Sequence, residues 1–89
     1  MTVRKIHKYK LKLVDEPQTI LMPAMSLIRF VGRQNDDVTM WAEVRTDYPV
    51  DVARKFVVVG TGQPIPDGGT YVGTCFGVPF VWHIFEVSP

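Results

Sequence analysis

Alternating polar and apolar residues run through much of the chain, and this pattern predicts β-strands. Residues 7–13 alternate strictly, with histidine, tyrosine and leucine on one face and Lys8, Lys10 and Lys12 on the other. We expect this strand to be half-buried and its lysine row to face water. The row either protects a sheet edge against unwanted pairing or forms an anion-binding stripe.

The sequence predicts about seven short strands and contains no segment of helical periodicity. Asp15-Glu16-Pro17 is predicted to be a turn, residues 32–37 a hairpin loop and residues 46–52 an ordinary loop. The fold class is therefore all-β, a small antiparallel sandwich or barrel. The predicted strands cover residues 7–13, 18–22, 25–31, 38–45, 56–59, 71–76 and 80–87.

A buried strand at residues 56–59 feeds the loop Gly60-Thr61-Gly62-Gln63-Pro64-Ile65-Pro66. Its four-residue run is apolar and β-branched, which is typical of a buried strand. We expect positive φ or a close backbone approach at Gly60 and Gly62, while each proline fixes its own φ. The sequence therefore predicts a stiff, preorganised loop.

Two aromatic positions indicate contact surfaces. Trp41 falls on the polar face of the strand at residues 38–45, beside Glu43 and Arg45, where it is either an interface or stacking residue or is covered by a second layer. Residues 80–87 are apolar on both faces, so this strand is expected at the centre of its sheet or between the core and a subunit partner.

Composition limits the class of protein. The chain of 89 residues is expected to form one domain over residues 1–89, and because so small a core hides few large apolar side chains, we expect a homo-oligomer, most simply a dimer or tetramer. Its net charge of +1 does not favour binding to duplex nucleic acid. One cysteine and no apolar N-terminal segment predict a cytosolic protein, and no apolar run is long enough to cross a membrane.

No residue pattern predicts catalysis, a metal or a cofactor. The two histidines and Cys75 follow no ligand spacing, so His83 is expected to be a satisfied core residue and Glu86 a rim carboxylate in a salt bridge. Glycine-rich backbone next to Arg54 and Lys55 favours a site for one anion. We therefore expect a binding protein and not an enzyme.

Several motifs resemble a family of small, mostly uncharacterised proteins encoded by tailed phages and prophages. The family resemblance implies a phage origin, a role in infection and residence in the cytoplasm of the infected bacterium. Gln63 departs from the histidine expected at that position, which matters if the position touches a ligand. The motifs are Ile6-His7-Lys8-Tyr9, Met22-Pro23, Trp41, Arg54 with Phe56, Gly60 to Pro66, Tyr71-Val72-Gly73-Thr74 and Trp82-His83-Ile84-Phe85-Glu86.

By a weaker analogy of size, source and assembly, the chain is similar to phage proteins that sequester cyclic-nucleotide signals of bacterial antiphage defence. This implies capture of a cyclic di- or trinucleotide at a site between subunits. The alternative is a protein-directed inhibitor of a host defence complex or an accessory virion protein that uses Trp41 and the lysine face. The residues expected to bind the ligand are Trp41, Arg54, Lys55, Thr61, Gln63 and Tyr71.

Overall fold

Two antiparallel sheets make up the fold in the computed structural model, which describes residues 3–47, 50–77 and 79–87. Sheet A has the strand order β1-β4-β3, and sheet B has the order β2-β5-β7-β6. The predicted all-β class is confirmed, and no helix occurs in the described residues. The strands are β1 (Arg4–Leu11), β2 (Gln18–Pro23), β3 (Leu27–Gln34), β4 (Asp37–Arg45), β5 (Asp51–Gly60), β6 (Gly69–Phe76) and β7 (Val81–Val87).

The core lies between the sheets, where period-2 alternation directs apolar side chains from both sides. In β4 every second residue from Val38 to Val44 is buried, as the sequence predicted. In β5 the inward residues are Phe56 and Val58. The largest side chains with less than 2% exposure are Phe56, Met22, Met40, Ile84, Val44, Thr39 and Cys75.

The structure corrects several predicted boundaries, beginning with the first strand, which spans Arg4–Leu11 and not residues 7–13, so that Leu13 is 55% exposed. Met25 has φ 68° and lies in the turn before β3, so it is not a strand residue. The hairpin between β3 and β4 turns at Asn35 and Asp36 alone, both with positive φ, which is the two-residue turn that Asn and Asp favour. Strand β5 begins at Asp51, inside the predicted loop; two residues of that loop, Tyr48 and Pro49, lie outside the described residues.

A crossover connects β5 to β6. Because both strands are antiparallel to β7, which lies between them, they run in the same direction and cannot be joined by a hairpin. The chain must pass from the level of Trp82, opposite Gly60, to the level of Val87, opposite Gly69. This is five residues of strand, about 17 Å. The stiff loop predicted at residues 60–66 is this crossover.

The crossover covers the outer face of sheet B. Val57, Val59 and Phe85 point away from the core, yet they are only 5–8% exposed. Crossover residues from Gly60 to Pro66 line the same clefts as these three side chains. Strand β7 is central, as predicted, and its outer face is covered by its own chain, so its two apolar faces do not require a subunit partner.

Arg54 links the two sheets by hydrogen bonds at one end of the sandwich. Its guanidinium donates two hydrogen bonds of 2.7 Å to the Glu86 carboxylate on β7 and one of 2.7 Å to the Ser26 carbonyl before β3. It also lies 5.8 Å from the centroid of the Phe56 ring. The hydrogen bonds to Glu86 raise the pKa of Arg54 above its ordinary value. The expected rim salt bridge of Glu86 is therefore present, with Arg54 as its partner.

We predict that Arg54→Ala lowers the free energy of unfolding by about 2 kcal/mol, because it removes charged hydrogen bonds and leaves a partly buried carboxylate unpaired. Arg4→Ala is the matched control, since the Arg4 side chain is 67% exposed in its 3.1 Å pair with Glu43. The control should cost less than about 1 kcal/mol. Urea denaturation measures both, and equal losses would contradict the structural role of Arg54.

We predict that Gly62→Val lowers the free energy of unfolding by about 1–3 kcal/mol, since Gly62 has φ +92° and a β-branched residue is strained there. A β-carbon there would meet no atom within 4 Å, so backbone strain is the expected source of the loss. Gly60, where positive φ was also expected, does not have it. Thermal melts measure the change, and a Gly62 variant as stable as the parent would refute the strain.

Candidate functional site

The six residues expected to bind a ligand do not come together in one subunit. Trp41 lies on the outer face of sheet A. Arg54 points between the sheets and is occupied by Glu86 and Ser26. Lys55 is exposed on sheet B, at the opposite end of β5 from the turn that holds Thr61. Of the six, Thr61, Gln63 and Tyr71 lie nearest to one another, around the crossover.

A chain of hydrogen bonds joins the crossover to β7 and β6. The Thr61 hydroxyl lies 2.8 Å from His83 Nε2, and the other ring nitrogen, Nδ1, lies 3.1 Å from Thr74 Oγ1. Thr74 Oγ1 in turn lies 2.6 Å from the Tyr71 hydroxyl. His83 is thus satisfied at both ring nitrogens, as expected, but it is half-buried on the outer face of sheet B and is not a core residue.

A β-bulge makes this chain of hydrogen bonds geometrically feasible. Tyr71 and Thr74 are three residues apart, so strict alternation would place them on opposite faces of β6. The register shifts between Tyr71 and Gly73, which leaves Tyr71 opposite Phe85 and Thr74 opposite His83. Both side chains therefore lie on the outer face. Gly73 fits because a β-carbon there would approach Val31 of the other sheet at 2.7 Å.

Gln63 forms hydrogen bonds through its backbone and its side chain within the turn that begins the crossover. Its backbone N–H donates to the Gly60 carbonyl at 3.1 Å, and its side-chain oxygen accepts from the Gly60 N–H at 2.8 Å. The backbone groups expected to meet a phosphate at Gly60 are therefore already paired. The cleft beside this turn has a volume of about 240 Å³, below the roughly 300 Å³ at which ligand pockets begin, and no lysine or arginine lines it.

The outer face of sheet A is the more open surface. Phe30 and Trp41 are cross-strand neighbours with ring centroids 5.7 Å apart, and Phe30 is 64% exposed. The Phe30 ring lies over Gly32, where a β-carbon would fall 2.6 Å from the ring. A glycine at this position therefore lets an exposed aromatic ring rest against the sheet.

Sequence reasoning missed Phe30, because alternation places it on the same side as Ile28, which packs against the core. A bulge at Arg29 shifts the register between Ile28 and Phe30 and turns Phe30 outward. The position of Gly32, two residues after the aromatic ring, is the one signal in the sequence that fits this arrangement.

Charged side chains surround the two aromatic rings. Glu43 binds Arg29 at 2.9 Å and Arg4 at 3.1 Å, and the hydrogen bond from Arg29 holds the pKa of Glu43 below its ordinary value. The lysine row predicted on β1 is exposed, as expected. Lys8 lies opposite Trp41 and donates to Gln34, and Lys10 forms a 3.4 Å ion pair with Asp37.

The described residues show neither a metal site nor a membrane-spanning helix. No group of three or more His, Cys, Asp or Glu residues could hold a metal ion in residues 3–47, 50–77 and 79–87. No helix in those ranges is long and apolar enough to cross a membrane. Cys75 is a buried free thiol, and burial raises its pKa above the ordinary value.

Comparison with known proteins places the chain in a protein family. A family model described as a domain of unknown function (DUF7352) matches residues 2–89. No curated protein and no solved structure matches the chain.

We predict that Thr61→Val loosens the crossover, because it removes the hydroxyl that binds His83. The free energy of unfolding should fall by about 1 kcal/mol, and amide hydrogen exchange should quicken at residues 61–68 while β4 is unchanged. Thr70→Val, at an exposed position on β6, is the matched control. Exchange that quickens equally in both variants would show that the Thr61–His83 contact does not hold the loop.

Proposed function

The chain belongs to the DUF7352 family, and we propose that it is a non-enzymatic protein that captures an anionic nucleotide on the outer face of sheet A. The observation that carries the proposal is the exposed Phe30 ring beside the half-buried Trp41, with ring centroids 5.7 Å apart, within a surface of excess positive charge. Nucleobases stack on such rings, and cationic side chains bind their phosphates. This face combines both contacts.

Charge favours an anionic ligand on this face. Four cationic side chains lie around the rings against two carboxylates, and the Arg45–Asp47 pair on the same face adds no net charge, so the face is more basic than a chain with net charge +1 would suggest. Among the described residues Lys8 binds a neutral amide oxygen at 2.7 Å and no carboxylate, which leaves its charge to a ligand. The cations are Arg4, Lys8, Lys10 and Arg29, and the carboxylates are Glu43 and Asp37.

The ligand class that we propose is a cyclic di- or trinucleotide, as the resemblance to phage proteins implies. Sequestration without turnover would then deprive an antiphage defence system of its signal in the cytoplasm of the infected bacterium. A flat face contacts only one side of such a ligand. Two copies with their faces toward each other would enclose it, and their mutual repulsion would be offset by the phosphates between them.

Capture is tested by titrating cyclic dinucleotides in a calorimeter. We expect one ligand per two chains and a shift from monomer to dimer on light scattering when ligand is added. Trp41→Ala and Phe30→Ala should each weaken binding about five- to 150-fold, because a stacked base contributes about 1–3 kcal/mol. Tyr71→Ala, on the other sheet, is the matched control and should bind as the parent does.

The ligand should be recovered intact after the protein is heated, and affinity should fall as salt concentration rises. Arg54→Ala, a position expected from sequence to touch phosphate, should change stability and leave affinity unchanged. Hydrolysed ligand would favour an enzyme. Absence of heat with every cyclic di- or trinucleotide would refute capture.

A second candidate function is binding to a host protein through the same face. Ile6 is 57% exposed and Leu27 is 50% exposed, and both lie opposite Glu43 in the two neighbouring strands. Aliphatic side chains give a nucleotide little to contact, whereas they fit an apolar patch on a protein. A complex in pull-down that is lost with Leu27→Ser, together with silent calorimetry, would support this function.

A further inference from the structure

Strand β5 has a backbone edge that its own sheet leaves open. Strand β2 pairs with β5 only as far as Gln18, opposite Phe56. From Val57 to Gly60, β5 pairs with β7 alone. The chain before β2 bends at Asp15 and Glu16, and Pro17 has no N–H to donate, so β2 does not continue along this edge.

The hydrogen-bond pattern shows which groups face the edge. Backbone groups of successive strand residues point to opposite neighbours. The Phe80 carbonyl accepts a hydrogen bond from the Gly77 N–H on the β6 side. The backbone groups of even-numbered residues in β7 therefore point toward β6, and those of odd-numbered residues point toward β5. The β5 residues paired with them, such as Val57 opposite Phe85, direct their N–H and C=O groups toward β7. The N–H and C=O of Val58 therefore point away from β7, toward the open edge.

Gly60 confirms this direction independently. Its N–H and C=O both bind Gln63, which takes the place of a paired strand residue. At the other end Phe56 is paired with Gln18. Val58 is left between these two completed positions with a backbone donor and acceptor that no described residue satisfies. Val58 is only 4% exposed, and buried backbone groups are nearly always paired in folded proteins.

Two clefts of about 450 and 370 Å³ open beside this gap, and both are lined by Asp15, Val58 and Gln63. Glu16 adds a second carboxylate to the larger cleft, and Ile65 with two prolines forms an apolar wall in the smaller one. No lysine or arginine lines either cleft. The edge is therefore a backbone pairing site with acidic and apolar walls.

We propose that this edge binds an extended peptide segment that carries basic side chains, by strand addition at Val58. Strand addition uses the backbone for affinity and alternate side chains for selection. Phe56 and Gly60 are four residues apart, about 13 Å, so the gap accepts three or four residues. The acidic walls select lysine or arginine. This site lies on sheet B, and it does not depend on nucleotide capture by sheet A.

The test uses a synthetic acetyl-Lys-Val-Lys-amide peptide, whose length fits the gap, and amide NMR spectra of the full chain. We expect shifts at residues 57–60 and slower hydrogen exchange of the Val58 amide. Two control peptides share its length: one carries glutamate for lysine, and the other is N-methylated at its central residue. Each should bind at least tenfold more weakly.

The double variant Asp15→Asn, Glu16→Gln should weaken the basic peptide about three- to tenfold. Its unchanged spectrum elsewhere would show that the fold is intact. Equal binding by the N-methylated peptide, or an absence of shifts at residues 57–60, would overturn the proposal. Concentration-dependent shifts of these amides without peptide would assign the edge to a second copy of the chain, and would also overturn it.

Discussion

The need to cross β7 governs the rest of this structure. Two strands that run in the same direction on either side of a third cannot be joined by a tight turn, so the chain must lie across one face of the sheet. A segment with two prolines suits this path, because it is extended without needing ladder hydrogen bonds. The outer face of sheet B is closed as a result, and the three buried side chains there form a second small core.

The two sheets consequently differ in what they offer to a partner. In sheet B the crossover covers the outer face, and the imidazole of His83 with the hydroxyl of Thr74 forms the hydrogen bonds that hold it. The outer face of sheet A retains the exposed Phe30 ring beside the half-buried Trp41, together with paired surface charges. Binding chemistry is therefore expected where the fold has not already used the side chains.

Sequence reasoning recovered the all-β class, all seven strands and the position of the stiff loop, because each depends on local alternation or on glycine and proline. It did not reveal that the two cations proposed for an anion site point to different sides of β5. Arg54 and Lys55 are adjacent, yet alternation sends one between the sheets and the other outward. Glu86, the partner that occupies Arg54, is 32 residues away and is found only by folding.

The bulge in β3 explains why the proposed binding surface could not be found from the sequence. One extra residue in β3 turns Phe30 from the core side to the outer face, and one in β6 brings Tyr71 to the same face as Thr74. The pattern of apolar and polar residues does not reveal the shift in β3, because Ile28 and Phe30 on either side of it are both apolar. In β6 the sequence does carry a signal, because Gly73 indicates a bulge or a close approach. The register irregularities, and not the strands, decide which aromatic rings a ligand could reach.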